Sequence, residues 1–365
     1  MRVETKMRDY GIVGEESAAA LKKGLAAAKW YSSPLSRDEL KALVKRRDWP
    51  GIRDTIIWLT ALIVSGFIAW KSWGTWWAVP AFFVYGTLYA SPSDSRWHEC
   101  GHRTAFKTQW LNDAVYQIAA FCVLRQPTPW RWSHTRHHTD TIIVGRDPEI
   151  NAKRPPEIGN ILLNVFNLSF GVRELGRMLV HCAGRLTIEE REFIPESERW
   201  KVCRVARIWC AIFAAVIVLS IAIGSTLPLM FIGLPSFYGA WLHLLFNLTQ
   251  HAGLAEDVLD HRLNTRTVYM NPIFQFIYWN MNYHVEHHMF PMVPYYALPA
   301  LHEKIKADTP QAYKGLIETY REIIPTLLRQ LKDPRYFVER KLPAASVAQR
   351  PSLGATSRKP NWTVG

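Results

Sequence analysis

The chain carries thirteen histidines, and eight of them fall in three short windows. His98 and His102 lie in HECGH, His134, His137 and His138 in HTRHH, and His284, His287 and His288 in HVEHH. On a helix, residues at i, i+3 and i+4 share a face. Each window thus predicts one stripe of imidazoles, the arrangement by which a helix offers several ligands to one point. A single histidine on an apolar face is usually a core residue, but three such stripes point to metal. A structural zinc site takes four ligands and a catalytic one three, so eight imidazoles imply two ions. Imidazole serves iron, copper, nickel and zinc alike, and ligand type leaves the metal open. A carboxylate-rich di-iron bundle needs two Glu-x-x-His motifs and two further glutamates. Glu99 and His102 supply one motif by spacing, but the third residue after Glu286 is Met289. The position of Glu286, two residues after His284, turns it away from the stripe, toward an outer layer around the ligands or toward solvent.

The elements that must position these windows are apolar helices. Of 365 residues, 48% are hydrophobic and sixteen are tryptophan, yet mean hydropathy is near zero. Long apolar runs alternating with charged segments produce such an average. Residues 55–70 and 76–90 read as one membrane hairpin, and 208–224 and 227–248 as a second, with Pro228 and Pro235 tolerated inside the fourth span. Trp58, Trp70, Trp73, Trp76 and Trp77 fit the aromatic belt of a bilayer. The segment 1–54 is basic, whereas the two hairpin loops carry Lys71 alone or no basic residue. Lysine and arginine excess marks the cytoplasmic side, so both termini and 91–206 are expected in the cytoplasm, where all three windows meet. The predicted architecture is an all-α integral membrane protein: four transmembrane helices in two hairpins, with a cytoplasmic helical cap holding the histidines. Apolar stretches at 114–124, 158–180 and 272–279 are expected in the core of that cap or in the membrane interface.

Further expectations follow from composition. No cleavable signal peptide is evident before the first apolar run. Cys100, Cys122, Cys182, Cys203 and Cys210 form no CxxC pair and are read as reduced structural thiols, excluding a disulfide framework and a cysteine-ligated cluster. The net charge of +13 is assigned to the membrane surface and an acidic partner protein rather than to nucleic acid. Residues 306–340 read as a C-terminal cytoplasmic helical segment. The Pro-, Ser-, Ala- and Arg-rich stretch 341–365 reads as a disordered tail, and its Asn361 sequon as chance. The sequence shows no internal repeat.

Taken together, the boxes HxxxH, HxxHH and HxxHH resemble the membrane fatty acid desaturase and hydroxylase superfamily. YHVEHHMFPMVPYYALPALH resembles that family's third box with its trailing FPxxPxxxL, and HTRHHTDTIIVGRDPEI its second box with a downstream DPE. The resemblance covers about residues 55–305, the expected catalytic domain. It implies a ninth ligand at the end of the fourth span, His251 of NLTQH, and an asparagine four residues earlier, Asn247, that holds a water. His181, His243, His261 and His302 have no such support and are read as structural or surface residues.

The resemblance also implies a non-haem di-iron centre, with two iron ions and O₂ as co-substrate, that removes hydrogen from an unactivated C–H bond. No cytochrome b5-like haem motif, cysteine cluster or dinucleotide loop is present to supply electrons. The expected donor is therefore a separate ferredoxin, Rieske-type protein or cytochrome b5 with its reductase. Arg125, Arg131, Arg136 and Arg146 around the second box could steer an acidic donor. The implied activity is fatty acyl or acyl-lipid desaturation, in a bacterial inner membrane. The alternative at the same site is a hydrocarbon hydroxylase or a rhizopine-type oxidative demethylase. A zinc-dependent membrane hydrolase is a further class, distinguished by activity without O₂. A metal transporter would need ligands inside the spans.

Overall fold

The computed structural model describes residues 8–26, 28–150 and 152–343. Among these residues the regular structure is helical, and strand pairing is confined to two isolated bridges, Thr267 with Tyr283 and Val268 with Tyr313. Two helical segments are long and apolar enough to cross a membrane, within Arg37–Lys71 and Glu196–Ala222.

The first lies in helix α1, Asp48–Lys71. Its 24 residues rise about 36 Å at ~1.5 Å each, enough to cross a hydrocarbon layer of about 30 Å. It starts well before the expected span because Asp48 anchors its first turn. The Asp48 carboxylate accepts the Thr108 backbone N–H at 2.8 Å and the Thr108 hydroxyl at 2.9 Å. Ile56, Ile63, Val64, Phe67 and Ile68 stand exposed along its outer face, a face suited to lipid.

Helix α2, Ala78–Gly101, differs from expectation in an informative way. Its first half is the expected second span, but the helix continues without a break into the first histidine window. Pro92 sits inside it, and a proline offers no N–H to the carbonyl four residues back. That carbonyl, Leu88 O, accepts the Trp58 indole N–H from α1 at 2.8 Å. Trp58 is therefore buried and is not part of the aromatic belt assigned from sequence. Trp70, Trp76 and Trp77 are exposed as that assignment requires.

The remaining framework is built around α2. Helix α3, Gln109–Cys122, packs along it, and α4, Pro127–Thr139, carries the second window. Helix α5, Leu168–Cys182, packs on α6, Glu196–Ala222. The expected fourth span is not one helix. It divides into Leu227–Phe231, Pro235–Tyr238 and α7, Trp241–His251. Pro228 and Pro235 each fall in the first turn of a short helix, where a missing N–H is harmless. Gly233 between them has φ of 98°, which a side chain would resist. The prolines thus start new helices instead of being tolerated within one. After the break the chain crosses α2 so closely that a Cβ on Gly239 would lie 1.8 Å from Gly86 O.

Helix α8, His284–Met289, carries the third window. The segment after residue 305 forms the helix Leu316–Gln330, whose Ile323 and Leu327 pack with Leu248 and Ala252 beside α7. All five cysteines are free. The expected disordered tail, with the Asn361 sequon, lies outside the described residues beyond residue 343.

Candidate metal centre

Three helices bring the windows to one place. His98 lies in the last turn of α2 and His102 caps that helix. His134, His137 and His138 lie in α4, and His284, His287 and His288 in α8. The ligand atoms of His98, His102, His134, His138 and His287 lie within 4.8 Å of one another, as do those of a second group, His137, His251 and His288. His284 adjoins the second group, its Nε2 lying 3.1 Å from His288 Nε2. All nine histidines singled out in the sequence are thus brought together in one cluster.

Several ring nitrogens face each other where no hydrogen bond can satisfy them all. His134 Nε2 lies 3.2 Å from His98 Nε2, 3.1 Å from His102 Nε2 and 3.1 Å from His138 Nε2. The other ring nitrogen of His134 is committed, donating from Nδ1 to Glu149 Oε2 at 2.9 Å. A neutral imidazole protonated there presents only a lone pair at Nε2. Lone pairs converging at such distances repel unless a cation sits between them. Metal–imidazole bonds of about 2.1 Å at right angles place neighbouring nitrogens ~3 Å apart. The donor set therefore fits metal ions.

A layer of partners fixes the tautomers, as ligating histidines require. His137 Nδ1 donates to Asp147 Oδ2 at 2.8 Å. Asp147 in turn accepts the backbone N–H of Ile142 at 2.8 Å and that of Glu149 at 2.8 Å. His251 Nδ1 donates to Asn264 O at 2.8 Å, leaving its buried Nε2 without a hydrogen-bond partner. That orphaned atom belongs to a residue which, on sequence alone, was a single histidine at a helix end. Burial, with His137 nearby, pushes His102 down to about 4. Burial and the neighbouring imidazoles hold His134 and His288 well below their usual range. These rings are neutral at pH 7, the form that binds metal. On His137 burial acts the same way, but the Asp147 carboxylate outweighs it and raises the ring. Burial lifts Glu149 to about 7, and a cation behind His134 would favour its charged form.

Asp147 and Glu149 received no role from the sequence, although the DPE signature contains both. The clue was their position, ten and fifteen residues after the histidines they orient. Asn264 left no clue, since it acts through its backbone. Glu99 is buried and points elsewhere, accepting the Thr104 hydroxyl at 2.7 Å and the Tyr295 backbone N–H at 3.0 Å. Glu286 is also buried, which removes its solvent-facing alternative. It accepts the Thr267 hydroxyl at 2.5 Å and His302 Nδ1–H at 2.6 Å. Neither glutamate belongs to the ligand groups, so the donor set is nitrogen throughout.

A sequence profile described as fatty acid desaturase matches residues 74–320, about two-thirds of the chain. The chain belongs to the fatty acid desaturase family. It is 26% identical over 302 residues to a probable fatty acid desaturase of Sorghum bicolor, covering 74% of this chain and 70% of that one. It is 26% identical over 276 residues to an endoplasmic reticulum acyl-lipid omega-3 desaturase (cytochrome b5) of Arabidopsis thaliana, covering 68% and 67%. It is 22% identical over 347 residues to a chloroplastic omega-3 fatty acid desaturase of Ricinus communis, covering 83% and 71%. The matched segment of the chain contains all nine histidines, whereas α1 precedes it.

The other four histidines belong to neither ligand group. His181 is buried between Gln126 and Glu190, and His302 is buried between Glu286 and Tyr269. His261 stacks on Trp30 with ring centroids 4.2 Å apart. His243 lines a cavity of about 210 Å³ beside the centre, together with His98, His134, His137, His251 and Asn247. Asn247 Oδ1 also accepts the Tyr278 hydroxyl at 3.3 Å.

Proposed function

We propose that this family member is an O₂-dependent, non-haem di-iron membrane oxidoreductase supplied with electrons by a separate protein. The observation carrying this reading is the convergence of nine imidazoles into two adjacent groups with no carboxylate among them. His98, His102, His134, His138 and His287 would hold one iron, and His137, His251, His284 and His288 the other, with Asn247 holding a water beside them. Two bound irons would supply the activation of O₂ and the removal of hydrogen from an unactivated C–H bond. The chain's own part is to hold the rings neutral, to aim them through Asp147, Glu149 and Asn264, and to keep bulk water from the reacting atoms by burial.

Desaturation consumes one O₂, two electrons and two protons, breaks two C–H bonds and releases two waters. Hydroxylation at the same centre consumes the same reactants, converts one C–H to C–OH and releases one water. Acyl desaturation is the outcome that the relatives' names support. One relative's name includes cytochrome b5, which supports an external donor of the cytochrome b5 or ferredoxin type. Within the membrane we propose four crossings, with α2 supplying the second and the broken 227–248 region the fourth. Both termini and the histidine-bearing cap would lie in the cytoplasm, in a bacterial inner membrane.

The test is metal analysis of the purified protein together with donor-dependent O₂ uptake. Two irons per chain and uptake that stops without donor are expected. Zinc at the site, with turnover in the absence of O₂, would establish a hydrolase instead.

A further inference from the structure

We infer that residues 158–183 lie in the membrane leaflet on the histidine side, and that the cavity beside the centre opens there, so that an acyl chain enters it sideways from the bilayer. The membrane surface rests on geometry alone, whereas the route rests on the acyl-desaturation reading of the same centre.

The apolar stretches outside the spans fare differently. The stretch 114–124 is largely core, with Val115, Tyr116, Ala119, Ala120 and Cys122 buried. The stretch 158–180 instead turns large side chains outward: Leu162, Leu163, Phe166, Leu168, Val172 and Leu179 are all exposed. On α5 the pattern is periodic. Gly171, Glu174, Met178 and His181 form the buried face, and Leu168, Val172 and Leu179 share another. Contiguous exposed apolar surface marks a contact with protein or membrane. A helix with an apolar outer face and basic residues beside it is the form that lies in a membrane surface. Arg173 and Arg185 are the exposed basic residues here, placed to meet anionic headgroups.

The neighbours of α5 put it at membrane depth. At its C-terminal end, Arg207 of α6 donates from Nε to Cys182 O at 3.1 Å. The next residue, Ile208, begins the exposed apolar surface of α6, which runs on through Ile212, Ile217 and Val218. Trp200, two turns earlier, is exposed beneath the Arg204 guanidinium, 4.7 Å from the ring centroid, a pair suited to the headgroup level. At the other end, Asn167 Nδ2 donates to Ser236 O at 3.0 Å, and a Cβ on Gly171 would lie 2.9 Å from the Phe237 ring. Helix α5 is thus wedged between the third crossing and the broken fourth one. Its outer face continues theirs, and the lipid that covers α6 covers it too.

The inner side of the same segment is cavity wall. Ile161, Asn164, Asn167 and Phe170 line the cavity, and Ile158 and Ile161 pack with Leu244 and Leu248 of α7. This apolar seam lies between the lipid-facing side chains and the histidines. Past it the cavity reaches His98, His134, His137, His251 and His284. The Asp94–Arg125 ion pair in the wall is closed on itself, Nη1 to Oδ1 at 2.5 Å. The rings of Trp97, Trp130 and Phe170 lie against its guanidinium, so a passing chain meets aromatic surface. Lys153, Glu157, Asn160 and Arg173 stand exposed at the mouth, where a polar headgroup finds partners. A lipid keeps its headgroup there while one chain passes the seam, and it never leaves the bilayer.

The test uses the full-length, iron-loaded protein, one chain per nanodisc of phosphatidylcholine and phosphatidylglycerol. Nitroxide labels on Leu163→Cys, Val172→Cys and Leu179→Cys, with the native cysteines replaced, report collisions with dissolved O₂ and with a water-soluble nickel chelate. Strong broadening by O₂ and little by nickel is expected, whereas a label on Lys332→Cys should respond to nickel. Nickel broadening at the three sites equal to that at Lys332 would place the segment in water. Shielding from both reagents would mean that protein covers it, and either result overturns the inference. For the route, a phosphatidylcholine with a diazirine midway along one acyl chain is photolysed in wild-type nanodiscs. Adducts are expected on the peptides holding Ile161 and Leu248 as well as on α6. Ile161→Trp should keep two irons per chain and the α6 adducts but lose most of those at Leu248. Wild-type adducts confined to the outer surfaces of α1 and α6 would overturn the route. Nanodisc lipid that gains no double bonds with O₂ and donor would remove the acyl-desaturation reading and leave the label and adduct results to stand by themselves.

Discussion

His251 shows how a single side chain acquires a role from its surroundings. Its Nδ1 is tied to a backbone carbonyl and its Nε2 lies orphaned beside His137 and His288. His251→Ala should therefore lower bound iron to about one per chain and abolish turnover, as should replacement of any of the other eight histidines. Asp147→Asn and Glu149→Gln should be milder, because they disturb the orientation of His137 and His134 and not the ligand atom. Losses of metal affinity of about 10- to 100-fold are typical for such partners, measurable by iron retention against a chelator. Equal iron retention in wild type and both variants would show that the two carboxylates play no part in metal binding. His302 is not a neutral control. Its imidazole hydrogen-bonds the buried Glu286, so His302→Gln should lower thermal stability while leaving iron content near two.

At the scale of elements, the hairpin of α1 and α2 converts an apolar helix into a precise support. Pro92 frees the Leu88 carbonyl, Trp58 satisfies it, and the helix then runs on to deliver His98 and His102. Removing the donor without removing the ring isolates this bond. Trp58→Phe should destabilise the protein by about 1–3 kcal/mol, the usual effect of leaving a buried carbonyl unpaired. Thermal unfolding in detergent is the measurement, and an unchanged midpoint would show that another group satisfies Leu88. The break in the 227–248 region has a matching consequence for α7. A helix restarted at Trp241 can choose its own rotation, and the one adopted turns His243, Asn247 and His251 toward the centre.

For the whole molecule, the proposed topology places the turns near Gly74 and Gly224 on the side opposite the histidines. Single cysteines at these turns, in a background with the five native cysteines replaced by serine or alanine, should react with a membrane-impermeant thiol reagent from outside intact cells. A cysteine at Lys332, after the helix that follows the cap, should react only after the membrane is opened. Labelling of Lys332→Cys in intact cells would reverse the assigned orientation. Residues 30–33 belong to the folded body rather than hanging from it. Tyr31 N–H bonds Leu259 O at 3.0 Å, the Ser33 hydroxyl bonds Asp308 at 2.5 Å, and Trp30 covers His261.

The amino-acid sequence determined the grouping of the imidazoles, because ligand geometry is local: i, i+3 and i+4 imidazoles must share a face once their segment is helical. It likewise determined the two unbroken apolar spans, since a run of large apolar side chains is read directly as a lipid-facing helix. Whether Pro228 and Pro235 would be tolerated in one span or start new helices depended on the neighbours, and in the fold each proline opens a short helix of its own. The burial of Trp58 was decided by Pro92, thirty-four positions away in the chain. The partners Asp147, Glu149 and Asn264 emerged only when loops folded back over α4 and α7. The same is true of the Asp94–Arg125 pair. Asp94 stands on α2 and Arg125 in the turn after α3, and only packing could set an acid, a base and a histidine around one cavity beside the centre.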